Sequence, residues 1–203
     1  MIINPDEIKQ KLLKTQDQQG RYYPPLPGLA REEKHPAAVL IPLLQDQVTW
    51  KILFIKRTQA EHDRHGGQIA FPGGRADHND TSLQDTALRE AEEEIGLHPR
   101  DVEILGQSCS ITTVTNYEVT PYVSVLPWPY PLNLSQIEVE KILLIPIEWL
   151  ADPHNHRTNS WKPDPAAKIK FPVIFFNEYQ GEILWGATAQ IVIDFLEIIE
   201  IVP

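Results

Sequence analysis

The 203-residue chain has little of what several protein classes require. Cys109 is its only cysteine, so no disulfide can form within the chain, which is typical of a protein in a reducing compartment. The small side chain of Cys109 is expected to be buried in the protein. Its apolar runs fall well short of a membrane span. The first residues, MIINPDEIKQKLLK, lack the apolar core and cleavage site of a signal peptide. These absences predict a cytoplasmic protein with no membrane partner.

Positive charge is also scarce. The chain has 18 Lys and Arg residues against 28 Asp and Glu residues, which gives a net charge of -10. Proteins that bind duplex nucleic acid need clustered cationic side chains, so we expect no nucleic-acid partner. A small anionic ligand remains open if a bound cation mediates the contact.

The apolar content of 42% is that of a globular protein, and its pattern predicts an α+β fold. Residues 1–34 are predicted to form a helix over 5–16 followed by a proline-rich connector. Residues 35–203 are predicted to form one domain. Within it, strands are expected at 37–44 and 48–57, joined by the turn QDQ, and the stretch 58–80 is expected to be a loop.

The rest of the domain is predicted to consist of one helix, then several strands, and then a closing helix. Ser82 can cap the first helix together with Asp85, and Gly96 can end it. The predicted strands are DVEILGQ, NYEVTPYVSVLP, KILLIPIEWL, IKFPVIFFNEY and GEILWG, and the closing helix is ATAQIVIDFLEII. The closing helix has one apolar stripe widened by a second, and this breadth predicts a homodimer.

The stretch REAEEEIG, residues 89–96, concentrates negative charge in less than two helical turns. At 3.6 residues per turn, Leu83, Ala87, Ala91 and Ile95 form the buried stripe. Glu90, Glu93 and Glu94 then share one side of the helix, whereas Glu92 points elsewhere. Such a side is either a solvated acidic surface or a set of oxygen ligands for a cation such as Mg²⁺.

The segment FPGG, residues 71–74, lies just upstream of this helix. Glycine lets the backbone turn with positive φ and approach a ligand closely, which a larger residue would prevent. Glycines next to a row of carboxylates favour a site for a metal-bound phosphate over a solvated surface.

These residues resemble the signature of the Nudix hydrolases. In that signature a glycine is followed after five residues by glutamate, and after seven more by R-E-hydrophobic-x-E-E-x-G-hydrophobic. Here Gly74 leads to Asp80 in place of glutamate, eight residues follow instead of seven, and REAEEEIGL at 89–97 then matches in full. The resemblance implies an α/β/α sandwich with a mixed central sheet, and metal-dependent hydrolysis of a nucleoside diphosphate derivative.

The longer spacing resembles the coenzyme A pyrophosphatase subgroup, which also has the upstream signature L-L-T-x-R-[SA]-x3-R-x3-G-x3-F-P-G-G. In this chain LFIKR ends at Arg57, and Gly67 precedes FPGG at the spacing of the subgroup. The chain departs from the subgroup at three places: Thr58 stands for Ser or Ala, the interval from Arg57 to Gly67 is one residue longer, and Asp63 stands beside Arg64 where arginine is expected. The resemblance implies that coenzyme A or a derivative is cleaved to 3′,5′-ADP and a 4′-phosphopantetheine product.

Carried over residue by residue, the resemblance implies two sets of site residues. Glu90, Glu93 and Glu94 would bind Mg²⁺ or Mn²⁺ and act in catalysis, with Arg89 orienting one glutamate through an ion pair. Arg57, Arg64, Gly73 and Gly74 would bind the substrate. Because a guanidinium can bind phosphate in bidentate fashion, Arg57 or Arg64 is expected to contact the 3′-phosphate of coenzyme A.

Other features leave alternatives open. His62, His65 and His78 with Asp63 and Asp77 form either loop surface or a transition-metal site, and His65 or Arg64 can also contact substrate. Glu138 and Glu140 are either solvent-exposed or supply a further carboxylate to the site. For the whole chain, the alternatives are a Nudix enzyme acting on ADP-ribose or a dinucleotide, and a non-catalytic Nudix scaffold that binds a nucleotide.

Overall fold

A computed structural model defines residues 3–16, 34–59, 66–113, 115–162 and 171–202. The helices within this part of the chain are α1 (Pro5–Gln16), α2 (Leu83–Ile95), α3 (Ile147–Ala151) and α4 (Gly186–Ile198). The strands are β1 (His35–Asp46), β2 (Thr49–Arg57), β3 (Ile69–Ala70), β4 (Gly73–Arg75), β5 (Glu103–Gln107), β6 (Ile111–Thr112), β7 (Tyr117–Val125), β8 (Val139–Pro146), β9 (His156–Trp161), β10 (Phe171–Tyr179) and β11 (Glu182–Trp185). None of the helices in this part of the chain is long and apolar enough to span a membrane.

The central sheet is mixed. Its strands follow the order β3-β2-β1-β7-β5, with β4 also pairing with β1, β6 with β7 and β8 with β2. The long pair β1 and β7 is parallel, from His35 opposite Tyr117 to Leu43 opposite Val125, and the other described pairs of this sheet are antiparallel. A second, three-stranded antiparallel sheet has the order β11-β10-β9.

Helices cover both faces of the central sheet. Because successive strand residues point to opposite faces, Leu40 and Leu44 of β1 pack with Ala91 and Ile95 of α2 in one core cluster. Ile41 and Leu43 belong to the other cluster, which includes residues of α1 and α4. The predicted α+β fold, an α/β/α sandwich around a mixed sheet, is therefore confirmed.

Several elements fold as the sequence predicted. The helix at 5–16 is present, and its buried Leu12 packs into the core beside β5. The strands β1 and β2 form the expected hairpin, although the turn is Gln47 and Val48 rather than QDQ. The strands predicted around 103–107, 117–125, 171–179 and 182–185 and the closing helix are also present.

Two predictions about secondary structure were wrong, and two strands were missed. The stretch KILLIPIEWL is a strand only up to Pro146, and Ile147 and Leu150 are buried from one side of the short helix α3. The stretch 58–80, predicted as a loop, contains β3 and β4. The strands β6 and β9 were not predicted at all.

The wide apolar band of α4 is used inside the chain. Ile191, Val192, Phe195, Leu196 and Ile199 are buried, and the other two residues of the predicted band, Ile198 and Val202, are partly buried against the same core. The helix packs against β10, β11, α1 and α3, so several neighbours account for its breadth. The homodimer remains a prediction, but this helix no longer provides the reason for it.

Candidate active site

The acidic helix α2 is fixed at both ends by local interactions. The Ser82 hydroxyl accepts a hydrogen bond from the backbone N–H of Asp85 at 3.1 Å, which caps the start of the helix. The Asp85 carboxylate in turn accepts a bond from the Ser82 hydroxyl at 3.0 Å. Gly96 ends the helix in the left-handed conformation, with φ of 69°. Both predicted boundaries of the helix are confirmed.

The helix turns its glutamates into different environments. Ala87, Ala91 and Ile95 are buried as predicted, and Leu83 is half-buried. Glu94 is only 2% exposed, whereas the side chain of Glu93 is 57% exposed. Glu92 is exposed on another side of the helix, near His98. The side chains of Glu90 and Glu94 therefore point towards the sheet, and Glu93 lies at the rim.

Glu94 is held against the glycine loop. Its carboxylate accepts a hydrogen bond from the backbone N–H of Gly73 at 2.9 Å. A guanidinium nitrogen of Arg57, at the end of β2, lies 3.7 Å from the other oxygen. Burial raises the pKa of Glu94 to about 8, and the Gly73 N–H and Arg57 only partly oppose this shift. The Arg57 and Gly73 predicted from the resemblance thus lie together at Glu94.

Glu90 lies over Gly74 of β4. A Cβ atom placed on Gly74 would come within 2.6 Å of the Glu90 carboxyl group, so the absence of a side chain makes room for this carboxylate. Arg89 contacts Glu90 at 2.9 Å. Burial raises the pKa of Glu90, and Arg89 counteracts that shift. The missing side chain at Gly74 therefore lets the Glu90 carboxylate lie this close to β4.

Arg89 is anchored by Asp80, the residue that replaces glutamate in the Nudix signature. The guanidinium donates to both Asp80 oxygens, at 2.9 and 3.1 Å. Asp80 also accepts bonds from the Thr86 hydroxyl and the backbone N–H of Asp77. These donors, with Arg89 first, hold the pKa of Asp80 well below its usual range. Asp80 therefore fixes Arg89, which also lies 3.3 Å from Glu93. Apart from the position of Asp80 in the motif, no pattern in the sequence indicated this role.

The two glutamates of QIEVEKI differ in position. Glu140 forms an ion pair with Lys56 at 3.0 Å on the surface. Glu138 is exposed, and its negative charge adds to burial in raising the pKa of both Glu90 and Glu94. Glu138 therefore lies within electrostatic range of the acidic pair, whereas Glu140 is paired with Lys56.

Four loop residues lie outside the part of the chain that the structure defines: His62, Asp63, Arg64 and His65. The predictions of a substrate contact at Arg64 or His65 and of a histidine metal site are therefore untested. His78 is exposed and contacts Asp77 at 2.9 Å.

The chemistry of this site suits a cation, although the side chains that would bind the cation do not surround a common point. Among the defined residues, no three acidic, histidine or cysteine side chains are close enough to hold an ion as they stand. Glu90 and Glu94 are nevertheless carboxylates whose ionised form is disfavoured by burial and by the charge of Glu138. An ion that offers positive charge would reverse both effects, and oxygen ligands are those that Mg²⁺ and Mn²⁺ prefer.

The family model described as the NUDIX domain matches residues 34–192, most of the chain. The chain belongs to the Nudix family. A protein of Photorhabdus laumondii called "Uncharacterized Nudix hydrolase NudL" is 36% identical over 171 residues, covering 83% of this chain and 87% of that protein. A protein of the same name from Yersinia enterocolitica is 34% identical over 182 residues, covering 83% of each chain.

Solved structures agree with this fold. A crystal structure of a MutT/nudix family protein from Enterococcus faecalis matches with a TM-score of 0.54 at 17% identity, covering 97% of this chain and 74% of that one. The chain is thus a Nudix pyrophosphohydrolase, a hydrolase of nucleoside diphosphate derivatives. Nudix hydrolases generally use divalent metal ions.

Proposed function

We propose that this Nudix protein hydrolyses the diphosphate bond of coenzyme A or a derivative with Mg²⁺ or Mn²⁺, giving 3′,5′-ADP and a 4′-phosphopantetheine product. The observation that carries the proposal is the junction of Arg57, Gly73 and Glu94. Arg57 and Gly73 come from the upstream signature that resembles the coenzyme A subgroup, and both contact the same buried carboxylate of the Nudix helix.

Three groups of residues would have different roles in the reaction. Glu90 and Glu94, with Glu93 turned inward from the rim, would hold the cation, and Asp80 would keep Arg89 beside Glu90. Gly73 and Gly74 let the backbone come close to the diphosphate. A bound ion neutralises phosphate oxygens and lowers the pKa of a bound water, which explains how an acidic protein can act on an anionic substrate.

The position of Arg57 refines the substrate prediction. Because its guanidinium lies at Glu94, in the catalytic centre, it suits the diphosphate better than a distant 3′-phosphate. Arg64, which lies outside the defined residues, is then the residue expected to contact the 3′-phosphate. Losing one charge-assisted contact costs about 1.5–3 kcal/mol, so dephospho-coenzyme A should be cleaved with a kcat/KM lower by roughly 10- to 150-fold.

The test is a substrate panel with the full chain and Mg²⁺ or Mn²⁺: coenzyme A, acetyl-coenzyme A, dephospho-coenzyme A, ADP-ribose and diadenosine diphosphate. We expect coenzyme A or its acetyl derivative to have the highest kcat/KM, and EDTA to abolish turnover. A clear preference for ADP-ribose or the dinucleotide would identify another Nudix pyrophosphatase. Tight binding of a nucleotide without turnover would instead identify a non-catalytic scaffold.

A further inference from the structure

The segment of residues 126–135, which we call the strap, follows β7 and lies across the C-terminal end of α2. Its sequence is LPWPYPLNLS. Every second side chain of the strap lies in or against the core cluster that contains Ala91 and Ile95 of α2: Leu126, Trp128, Tyr130, Leu132 and Leu134. The prolines between them are exposed, and because proline fixes φ, they restrict the conformations open to the strap. The strap is therefore a restrained segment packed on the helix that carries the glutamates.

The strap provides hydrogen-bond donors to the last turn of α2. The last carbonyl groups of a helix have no partner within the helix and need one from elsewhere. The carbonyl oxygen of Ile95 accepts a bond from the N–H of Asn133 at 2.9 Å, and that of Glu94 accepts one from the N–H of Ser135 at 2.9 Å. A Cβ atom on Gly96 would lie only 2.9 Å from the Cβ atom of Asn133, so the strap is in close contact with the point where the helix ends.

Tyr130 fixes the strap to the chain that follows α2. Its hydroxyl accepts a hydrogen bond from the backbone N–H of His98 at 3.2 Å and donates one to the Asp101 carboxylate at 2.8 Å. One side chain thus connects the strap to the residues on both sides of Pro99 and Arg100. The contact lies beyond the helix and does not involve the carboxylates of the site.

Glu94 is consequently held at its backbone and at its side chain by two different elements. Ser135 of the strap bonds its carbonyl oxygen, and the N–H of Gly73 in β4 donates to its carboxylate at 2.9 Å. A displacement of about 1 Å in a catalytic group can cost about 100-fold in rate. Whatever fixes the backbone of Glu94 therefore affects how well its carboxylate stays at Gly73.

We propose that the strap is a positioning element for Glu94: the N–H of Ser135 holds the backbone of Glu94 in place, and Tyr130 holds the strap. The inference rests on the proposed function in one respect, namely that Glu94 acts on a cation and a diphosphate. The position of Glu94 itself can be measured without either ligand, through its bond to Gly73.

The first pair of variants tests the bond to Glu94. Ser135→Pro removes the N–H that this bond needs. Gln136→Pro is the matched control, because it leaves the Ser135 N–H in place. Gln136 is exposed and is the second residue of the turn that the N–H of Glu138 closes on the carbonyl oxygen of Ser135, a position that favours proline.

The second pair tests the attachment of the strap. Tyr130→Phe removes only the hydroxyl that contacts His98 and Asp101. Tyr179→Phe makes the same change in β10, in the other sheet, and is its control. Tyr130→Phe decides the inference by the same measurements if Ser135→Pro does not fold.

Three quantities are measured on the full chain, at a temperature where every variant is folded. The first is the hydrogen-exchange rate of the Gly73 amide, compared by NMR with that of Ala76, whose N–H bonds the carbonyl oxygen of Pro36 at 3.0 Å. Exchange at Ala76 reports opening of the chain around β4 itself, whereas exchange at Gly73 reports the bond to Glu94. The others are the dissociation constant of Mn²⁺, by electron paramagnetic resonance, and kcat and KM on the best substrate of the panel.

We expect Ser135→Pro and Tyr130→Phe to speed exchange at Gly73 by about tenfold and to change exchange at Ala76 by less than about twofold. Both variants should weaken Mn²⁺ binding and lower kcat by about tenfold, the scale of losses next to metal ligands, with KM little changed. In a chain with Glu94→Gln, Ser135→Pro should have almost no further effect on Mn²⁺ binding or kcat, because the residue that it positions is already altered. The two control variants should match the wild type.

Three results would overturn the inference: wild-type exchange at Gly73 in both test variants, equal acceleration at Gly73 and Ala76, or an equal loss of Mn²⁺ affinity from Ser135→Pro with and without Glu94. Equal acceleration would mean that the strap stabilises the fold in general and does not position Glu94. If the wild type cleaves none of the diphosphates, the proposed function fails, and the exchange rates still decide the role of the strap.

Discussion

Glu92 and Glu94 stand two positions apart on α2 and have opposite surroundings. Glu94 is buried against Gly73 and Arg57, whereas Glu92 is exposed and lies 3.4 Å from a nitrogen of His98. The two residues have the same chemistry and belong to the same helix. Substituting each of them in turn therefore distinguishes the effect of a site carboxylate from the effect of the overall charge of the helix.

We expect Glu94→Gln to reduce hydrolysis by about 100-fold or more, because a neutral amide is a poor Mg²⁺ ligand and even changes next to a ligand cost about 10- to 100-fold. Stability should hold, since an amide removes a carboxylate whose ionisation burial disfavours. Steady-state kinetics and thermal unfolding measure both effects. Glu92→Gln should keep activity within about twofold of the wild type; a large loss there would contradict the assignment.

Asp80 provides a prediction about stability at the same scale. Asp80→Asn breaks a largely buried, two-pronged bond to Arg89 and should lower the free energy of unfolding at pH 7 by about 1–3 kcal/mol. The folded state lowers the pKa of Asp80, so its contribution is present above the unfolded pKa of about 3.9 and is lost as the pH falls below it.

Urea unfolding of the wild type and Asp80→Asn between pH 3 and pH 7 tests this. The difference in free energy of unfolding between the two proteins should be constant down to about pH 4 and should then become smaller. Glu103→Gln, at an exposed position, should show no comparable gap. A gap that widens at low pH would mean that the ion pair does not stabilise the fold.

At the scale of single elements, the short strand β4 combines a structural and a functional glycine. A Cβ atom on Gly73, whose φ is 148°, would lie 2.4 Å from the carbonyl oxygen of Ala38 and 2.6 Å from the Cα atom of Val39. These are backbone atoms of the paired strand and cannot move aside. The three atoms nearest to a Cβ atom on Gly74 would all belong to the carboxyl end of Glu90, which can rotate away.

We therefore expect Gly73→Ala and Gly74→Ala to fail in different ways. Gly73→Ala should lower the free energy of unfolding by about 1–3 kcal/mol, the usual cost of forcing atoms into a packed space. Gly74→Ala should stay folded and lose up to about 100-fold in kcat/KM, because a small displacement of a catalytic group is costly. Thermal unfolding and kinetics on both variants test this. Equal stability losses without a loss of activity in Gly74→Ala would contradict the role given to Glu90.

At the scale of the whole molecule, the N-terminal helix contributes to the core. Leu12 is fully buried and its Cβ atom packs over Gly106 of β5, while the next residue, Leu13, is 49% exposed. Ile3 and Ile8 belong to the same core cluster. The helix is thus part of the packed structure, whatever path the chain takes between the defined residues.

Leu12→Ala should lower the free energy of unfolding by about 2–5 kcal/mol, because a buried leucine leaves a cavity. Leu13→Ala should change it by no more than about 0.5 kcal/mol. Urea unfolding followed by the fluorescence of the tryptophans in the domain measures both. If Leu12→Ala has no more effect than Leu13→Ala, α1 does not contribute to the stability of the domain.

The sequence by itself determined the elements that depend on neighbouring residues. The bounds of α2 follow from a serine cap and a left-handed glycine, which are local interactions. The hairpin of β1 and β2 follows from two apolar runs and a polar turn. The family signature also identified the residues that meet at Glu94, because Arg57, Gly73 and Glu94 each occupy a motif position.

Only the tertiary structure decided the rest, because the spacing of residues along the chain does not reveal which residues of other elements pack against them. Helical periodicity places Glu93 and Glu94 on one side, but the strands that α2 packs on bury one and leave the other at the rim. Strands of two or three residues, such as β3 and β4, are too short to show a pattern. The turn of residues 135–138 lies against the end of α2 because Thr58 and Glu94, far away in sequence, hold it by hydrogen bonds that appear in no sequence motif.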